Sequence, residues 1–373
     1  MKSGIQYNAD LSVKSAVESG LEYVELNIDD IDKLEVVKAA GGKISGICVE
    51  VIKLLSGNNE KEILSDSARL TLKKALSYVR NNISSYIVLD TEGVNSASVI
   101  EQLISESSEF LINSQVSIYI ENGYKYSNGR YYHNDYSDGR KLKELVIKLN
   151  MLCPGVDWKI CINVGHTNLL GINIRDMVRV CSGYIGLVHI NDNNSYEDQH
   201  QMPYTFTTGR GELSTDWNRF IGVLYKEKYS GYMIFDNKGT FARTPVELHT
   251  AMLELMCACV YEWEDNCFEI EKYLEQNGKK LILFGSGRMT ETYMDYWGNK
   301  YKPYYLVDNN QDRWGQQLMG VPIKSPQEIL NIPPEQRNVW ICNLNYEIVG
   351  TQLDNMGIEY RCCLLYTSPS PRD

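Results

Sequence analysis

The feature that most constrains this chain is an alternation that runs through it up to about residue 240. Short β-rich runs are separated by longer stretches whose apolar residues recur at helical spacing. Eight runs read as strands: Gly4 to Ala9, Tyr23 to Ile28, Ile44 to Val51, Tyr86 to Thr91, Val116 to Glu121, Lys159 to Gly165, Tyr184 to Asn191 and Tyr232 to Asp236. Helices are expected over Leu11 to Ser19 behind an Asp10 N-cap, over Asp66 to Asn81, and over Lys141 to Leu152. Strands that alternate with helices build a parallel sheet covered by those helices, an α/β class. Eight of them in about 250 residues favour a closed (β/α)8 barrel over an open sheet. The first run is the least regular, being short and half polar, and pairs in hairpin-like fashion with the next.

From about Pro245 the pattern turns mostly helical, and the acidic stretch Trp263 to Gly278 reads as a helix that Gly278 ends. A second βαβ pattern follows. Leu281 to Phe284 is a strand, Gly285-Ser286-Gly287-Arg288 a turn, Met289 to Tyr296 a helix, and Tyr304 to Val307 a strand ending at Asp308. A further strand, Val339 to Cys342, comes after the Pro-rich stretch Pro322 to Pro334. The expected organisation is a barrel over residues 1–262, a linker helix over 263–278 and a small α/β domain over 279–362. The run Cys363 to Asp373 reads as a translated sequencing adapter, and it is set aside. No solenoid-type repeat is visible.

Charge narrows the partners. The chain carries 37 basic and 48 acidic residues, a net charge of −11, and no basic run. Binding to nucleic acid or to an anionic membrane is therefore disfavoured. The apolar runs Ile44 to Val51 and Leu281 to Phe284 are too short to span a bilayer, and no secretory core follows Met1. Ten cysteines without a C-x-x-C spacing read as reduced thiols of a cytoplasmic protein.

Ligands of a parallel barrel meet the C-terminal ends of its strands. The last four candidate strands end on Glu121-Asn122, on Asn163-Val164-Gly165-His166, on His189-Ile190-Asn191-Asp192-Asn193 and on Asp236. Asp198-Gln199-His200 and Gly209-Arg210-Gly211 follow the seventh, and three of the five histidines fall between 166 and 200. This set, with Trp217 after the Gly-x-Gly, resembles the xylose isomerase-like barrel superfamily of sugar isomerases and epimerases over roughly residues 20 to 240. The resemblance implies a divalent metal, Mn²⁺ or Mg²⁺, on Glu121, Asn163, His189 and Asp236. Glu121 and Asp236 would double as the acid and base, while His166 and Arg210 hold substrate oxygens. Asp198 and His200 are further polar candidates. The implied reaction isomerises or epimerises a sugar through an enediolate. Asn163 stands where the family has Asp, and Asp236 where it has Glu. An inactive barrel that binds a carbohydrate or nucleotide-sugar is therefore the alternative. A nuclease reading fails for want of a basic face. Barrels of this group often pair, so a homodimer is a further expectation.

Two features stay open. Tyr124, Tyr126, Tyr131, Tyr132 and Tyr136 crowd the loop after Glu121, where they could stack on a sugar, although loop packing is the plainer reading. The C-terminal part resembles the small Rossmann-like domains found beside sugar-modifying enzymes. Gly285, Gly287 and Asp308 suit a nucleotide or nucleotide-sugar. Thr290 stands in place of the third glycine, and a purely structural role fits equally. His133, His249 and Glu25 read as structural.

Overall fold

The computed structural model describes residues 2–55, 66–80, 86–94, 96–111, 114–206, 215–265, 270–275, 278–343 and 345–362. They form two compact units. One comprises the residues up to Trp217 with Glu227–Val260, the other Asn218–Lys226 with the residues from Tyr261 on.

The first unit is a closed barrel of eight parallel strands: β1 (Lys2–Gln6), β2 (Tyr23–Asn27), β3 (Lys43–Glu50), β4 (Tyr86–Asp90), β5 (Val116–Glu121), β6 (Val156–Asn163), β7 (Ile185–Ile190) and β8 (Tyr232–Phe235). Each strand pairs with its neighbours in sequence, and β1 closes the ring against β8. All eight candidate strands are present. The first is not half of a hairpin: β1 lies parallel to β2, with Gln6 level with Glu25. Helices follow at Val13–Glu18, Asp66–Arg80, Ser98–Leu111 and Gly139–Leu152, among others. Ser12, not Asp10, caps the first, because its hydroxyl accepts from the Ser15 N–H.

Side chains alternate across each strand, so one parity fills the barrel and the other packs outward. Cys48, Tyr86, Val88, Tyr119, Cys161, Leu187, Tyr232 and Ile234 form one buried cluster contributed by six strands. Here the tyrosine-rich composition finds its use. Tyr86 stacks on Tyr119 at 4.9 Å between ring centroids and meets Tyr232 at 5.1 Å. Glycines on neighbouring strands make room: a Cβ on Gly46 would lie 2.2 Å from the Tyr86 ring. One step further along the same parity come Glu25, Asp90, Glu121, Asn163, His189 and Asp236. The barrel mouth is therefore polar.

At Gly4 the backbones of β1 and β2 leave no room for a side chain, since a Cβ there would sit 2.2 Å from the Tyr23 carbonyl oxygen. Backbone cannot yield as a side-chain tip does. Gly4→Ala is expected to cost about 1–3 kcal/mol, read as a lower melting midpoint with circular dichroism.

The second unit holds a six-stranded mixed sheet. Its strands are β9 (Lys280–Phe284), β10 (Tyr305–Val307), β11 (Gln317–Leu318), β12 (Val321–Lys324), β13 (Arg337–Ile341) and β14 (Arg361–Cys362), in the order β11-β12-β10-β9-β13-β14. Only β11 and β12 are antiparallel. Leu281 and Leu283 face one apolar cluster with Trp297 and Trp340, and Ile282 and Phe284 face another with Val307 and Ile341. Both faces are covered, as uninterrupted apolar strands require. The hairpin of β11 with β12, and the edge strand β14, are additions to the pattern legible in the sequence. The stretch read as one helix over 263–278 contains Ile270–Leu274, and the preceding helix His249–Trp263 runs up to it. Residues 363–373 lie outside the described residues. No helix among the described residues is long and apolar enough to cross a membrane.

Candidate active site at the barrel mouth

Two hydrogen-bonded networks occupy the mouth. The first centres on His189. Its Nδ1 lies 3.1 Å from Glu121 Oε1 and its Nε2 3.1 Å from Glu25 Oε1. Glu25, fully buried, also accepts from the Tyr86 hydroxyl at 2.9 Å and the Gln6 amide at 3.1 Å. Asn163 Nδ2 donates to Glu121 Oε1 at 2.8 Å. Burial works against a charged His189, but Cys161, Glu25 and Glu121 outweigh it and hold the imidazole well above its usual range.

The second network is a ladder of alternating carboxylates and imidazoles. His166 donates from Nδ1 to the Asn122 carbonyl at 2.7 Å and faces Glu92 Oε1 through Nε2 at 3.0 Å. Asp198 Oδ2 stands 3.6 Å from that Nε2 and 3.2 Å from His200 Nε2. His200 Nδ1 then meets Asp236 Oδ2 at 2.8 Å. Burial would push His200 down, yet Asp236 and Asp198 raise it to about 10. Asp236 is held low against its burial by His200 and then Lys238. Asp90, at the end of β4, goes the other way: burial, then Glu92 and Glu121, push its carboxyl well up. The mouth thus pushes the carboxyl of Asp90 up while those of Asp198 and Asp236 are held down, the divergence that proton transfer needs.

The loop that carries Asp198 and His200 is tightly constrained. Ser195, His200 and Tyr204 all have φ between 48° and 66°, backbone that non-glycine residues rarely adopt. An antiparallel bridge between Asp192 and Gln201 pins its base. Asp192 itself is buried, accepting from Asn193 N at 3.0 Å and Trp217 Nε1 at 3.2 Å. Burial raises its carboxyl to about 6. Because the folded value lies above the ordinary 3.8, its stabilising contribution is full below about 4 and lost as the pH rises through 6. A carboxyl-carbon NMR titration should place its midpoint near 6, and a midpoint at 4 would contradict its desolvation.

The structure brings Asn163 and His189 together on Glu121 Oε1 and puts Asp236 with His200 instead. His166, Asp198 and His200 share the ladder. Arg210 lies outside the described residues. Sequence reasoning missed Asp90 and Glu92, although the strand-end rule applied to β4 would have found both. Glu25 was taken as structural, yet it holds the far side of His189. Tyr124 was left to loop packing and does pack edge-on against Tyr131 and His166, both at 4.9 Å. Its hydroxyl also donates to Asp198 Oδ2 at 3.0 Å. Lys238 passed unremarked, and its ammonium is stabilised by Asp236, then, against burial, by Glu92, Asp198 and Asp90.

Three groups of ligating atoms lie within 4.8 Å of one another among the described residues: Glu121, Cys161 and His189; Cys48, Asp90 and Glu121; and Glu92, Asp198 and His200. Asp236 belongs to none of them. Burial pushes the Cys161 thiol up to about 12. In the four-residue set that the family resemblance implies, Asn163 turns an N–H₂ group to Glu121, which does not suit a divalent ion, while Asp236 bonds His200 through Oδ2 and keeps Oδ1 buried without a hydrogen-bond partner among the described residues.

In the second unit, Gly285 has φ 121°, and a Cβ there would lie 2.3 Å from the Cys342 carbonyl oxygen. Packing alone demands that glycine. Asp308 accepts from Ser286 N at 3.0 Å and Ser286 Oγ at 2.5 Å, while its other oxygen accepts from Asn310 N. Around Gly287 a Cβ would meet nothing within 4 Å.

No protein-family model and no curated protein sequence matches this chain. Solved structures do. A 3-keto-D-glucoside 4-epimerase, YcjR, from E. coli superposes with a TM-score of 0.50 at 16% identity, over 69% of this chain and 100% of that one. A D-psicose 3-epimerase crystallised in the presence of D-fructose gives 0.52 at 13%, over 72% and 99%. An L-ribulose 3-epimerase gives 0.53 at 12%, over 74% and 99%. At such identities the likeness concerns the fold alone: this chain's barrel shares the (β/α)8 architecture of those three epimerases.

Proposed function

We propose that the chain is an isomerase or epimerase of a sugar or sugar derivative, acting by proton transfer at a carbon beside a carbonyl. The observation that carries this reading is a pair of carboxylates, Glu121 and Asp236, on the ends of β5 and β8, each backed by its own imidazole. One carboxylate takes the proton from the α carbon, and the C–H electron pair moves onto the carbonyl oxygen as an enediolate. Return of a proton from the second pair, where His200 carries it, to the opposite face gives the epimer. Return to the neighbouring carbon gives the isomer. Lys238 and the Asn163 amide supply positive charge and an N–H donor for the developing oxyanion. The likeness in fold to keto-sugar epimerases supports the substrate class. The buried free thiols, Cys48, Cys153 and Cys161 among them, support a reducing compartment such as the cytoplasm.

The test is deuterium wash-in. The protein is incubated in D₂O with 3-keto-D-glucosides, D-psicose, D-fructose or L-ribulose and followed by proton NMR. Deuterium next to the carbonyl of one of them is expected. Binding of a sugar with no exchange in any would favour the inactive, carbohydrate-binding barrel, for which the internal engagement of Asp236 and Asn163 speaks.

A further inference from the structure

We propose that the strand-end site formed by Glu121, Asn163, His189 and Asp236 excludes a divalent cation, its place being taken by hydrogen bonds that the protein makes to itself. The inference stands apart from the proton-transfer reading, because its test reads ion binding rather than turnover.

The decisive residue is Asn163. It is the N-cap of the helix Val164–Leu169, and its Oδ1 accepts from the His166 backbone N–H at 3.2 Å. The same oxygen accepts from Asn191 Nδ2 at 3.0 Å. The backbone N–H cannot reverse its role, so the amide has one workable orientation: oxygen to the helix, nitrogen to the site. That nitrogen reaches Glu121 Oε1 at 2.8 Å. An amide N–H₂ offers no lone pair to a cation, and turning it over would set two donors against the His166 N–H and uncap the helix. An aspartate here could cap with one oxygen and ligate with the other. Asparagine has a single oxygen, and the fold has already claimed it.

The neighbours agree. His189 carries a carboxylate on each ring nitrogen, Glu121 on one side and Glu25 on the other, so neither nitrogen is bare for a metal. Asp236, one methylene shorter than glutamate, reaches His200 through Oδ2 at 2.8 Å, and its Oδ1 is the one buried oxygen of the set without a hydrogen-bond partner among the described residues, too few to hold an ion alone. His189 therefore bridges Glu121 to Glu25, and Glu121 Oε1 is matched by an imidazole and an amide N–H group.

The experiment compares Mn²⁺ binding by the full chain, Glu121→Gln and Asn163→Asp, using electron paramagnetic resonance and melting midpoints with and without Mn²⁺. Wild type is expected to show no stoichiometric Mn²⁺ that depends on Glu121. Asn163→Asp is expected to tighten Mn²⁺ binding on the order of 100-fold, since it adds a charged ligand, and to melt higher when Mn²⁺ is added. One Mn²⁺ per wild-type chain, lost in Glu121→Gln, would overturn the proposal. So would an Asn163→Asp protein that folds yet gains no Mn²⁺, because the amide would then not be what keeps the ion out. Should Asn163→Asp fail to fold, wild type against Glu121→Gln decides alone.

Discussion

Glu121→Gln should lower deuterium exchange at the substrate's α carbon by about 10²–10⁴-fold, the usual contribution of a positioned general base. The substitution is nearly isosteric and keeps an oxygen for the Asn163 amide, so the loss should fall on turnover rather than folding. It is measured as the initial rate of wash-in on whichever keto sugar the wild type processes, together with sugar affinity by calorimetry. Unchanged affinity with collapsed exchange identifies a residue that acts on the reacting proton. Exchange within a factor of two of wild type would remove Glu121 from the chemistry and leave Asp90, its neighbour on β4 whose carboxyl burial pushes up, as the strand-end acid to examine. The residue to its own side matters less, since Thr91 merely donates to the Glu121 carbonyl at 2.8 Å.

The second large effect concerns folding. Glu25→Ala removes the carboxylate that meets His189 Nε2, the Tyr86 hydroxyl and the Gln6 amide in a fully buried position. Losing one partner of a buried, hydrogen-bonded pair costs about 3–5 kcal/mol, because the other charge stays buried and uncompensated. The urea midpoint of the full chain, followed by fluorescence, should fall accordingly. Glu25→Gln keeps one acceptor oxygen and should fall less. An unmoved midpoint in Glu25→Ala would show that His189 is neutral in the fold, and the bridge between the two glutamates would have to be abandoned.

Much of this molecule could be read from its sequence, for a physical reason. A parallel strand buried on both faces must be apolar on one parity, and its C-terminal end is where polarity can begin. The β/α alternation and residues such as Glu121, His189 and Asp236 were therefore visible as departures from an apolar run. What stayed hidden lay in side-chain direction. Nothing in the letters Asn163-Val164-Gly165-His166 tells which end of an amide faces a helix. The parity that turns Glu25 into the barrel beside His189 needs the closed ring, because β2 and β7 are far apart in the chain. Glu92 and Lys238 sit past their strand ends, where a sequence reading meets only loop. Asp10 was chosen as a cap for its type, yet Ser12 is the residue whose geometry fits.

The ladder from Glu92 through His166, Asp198 and His200 to Asp236 has a consequence for how this site will respond to dissection. Each interior member serves two neighbours, so deleting one changes the environment of both. Substitutions along it will not sum: a double variant of Asp198 and His200 should cost less than its two single variants together, because the second loss removes groups the first had already stranded. Energetically, the five residues are one component of the mouth rather than five.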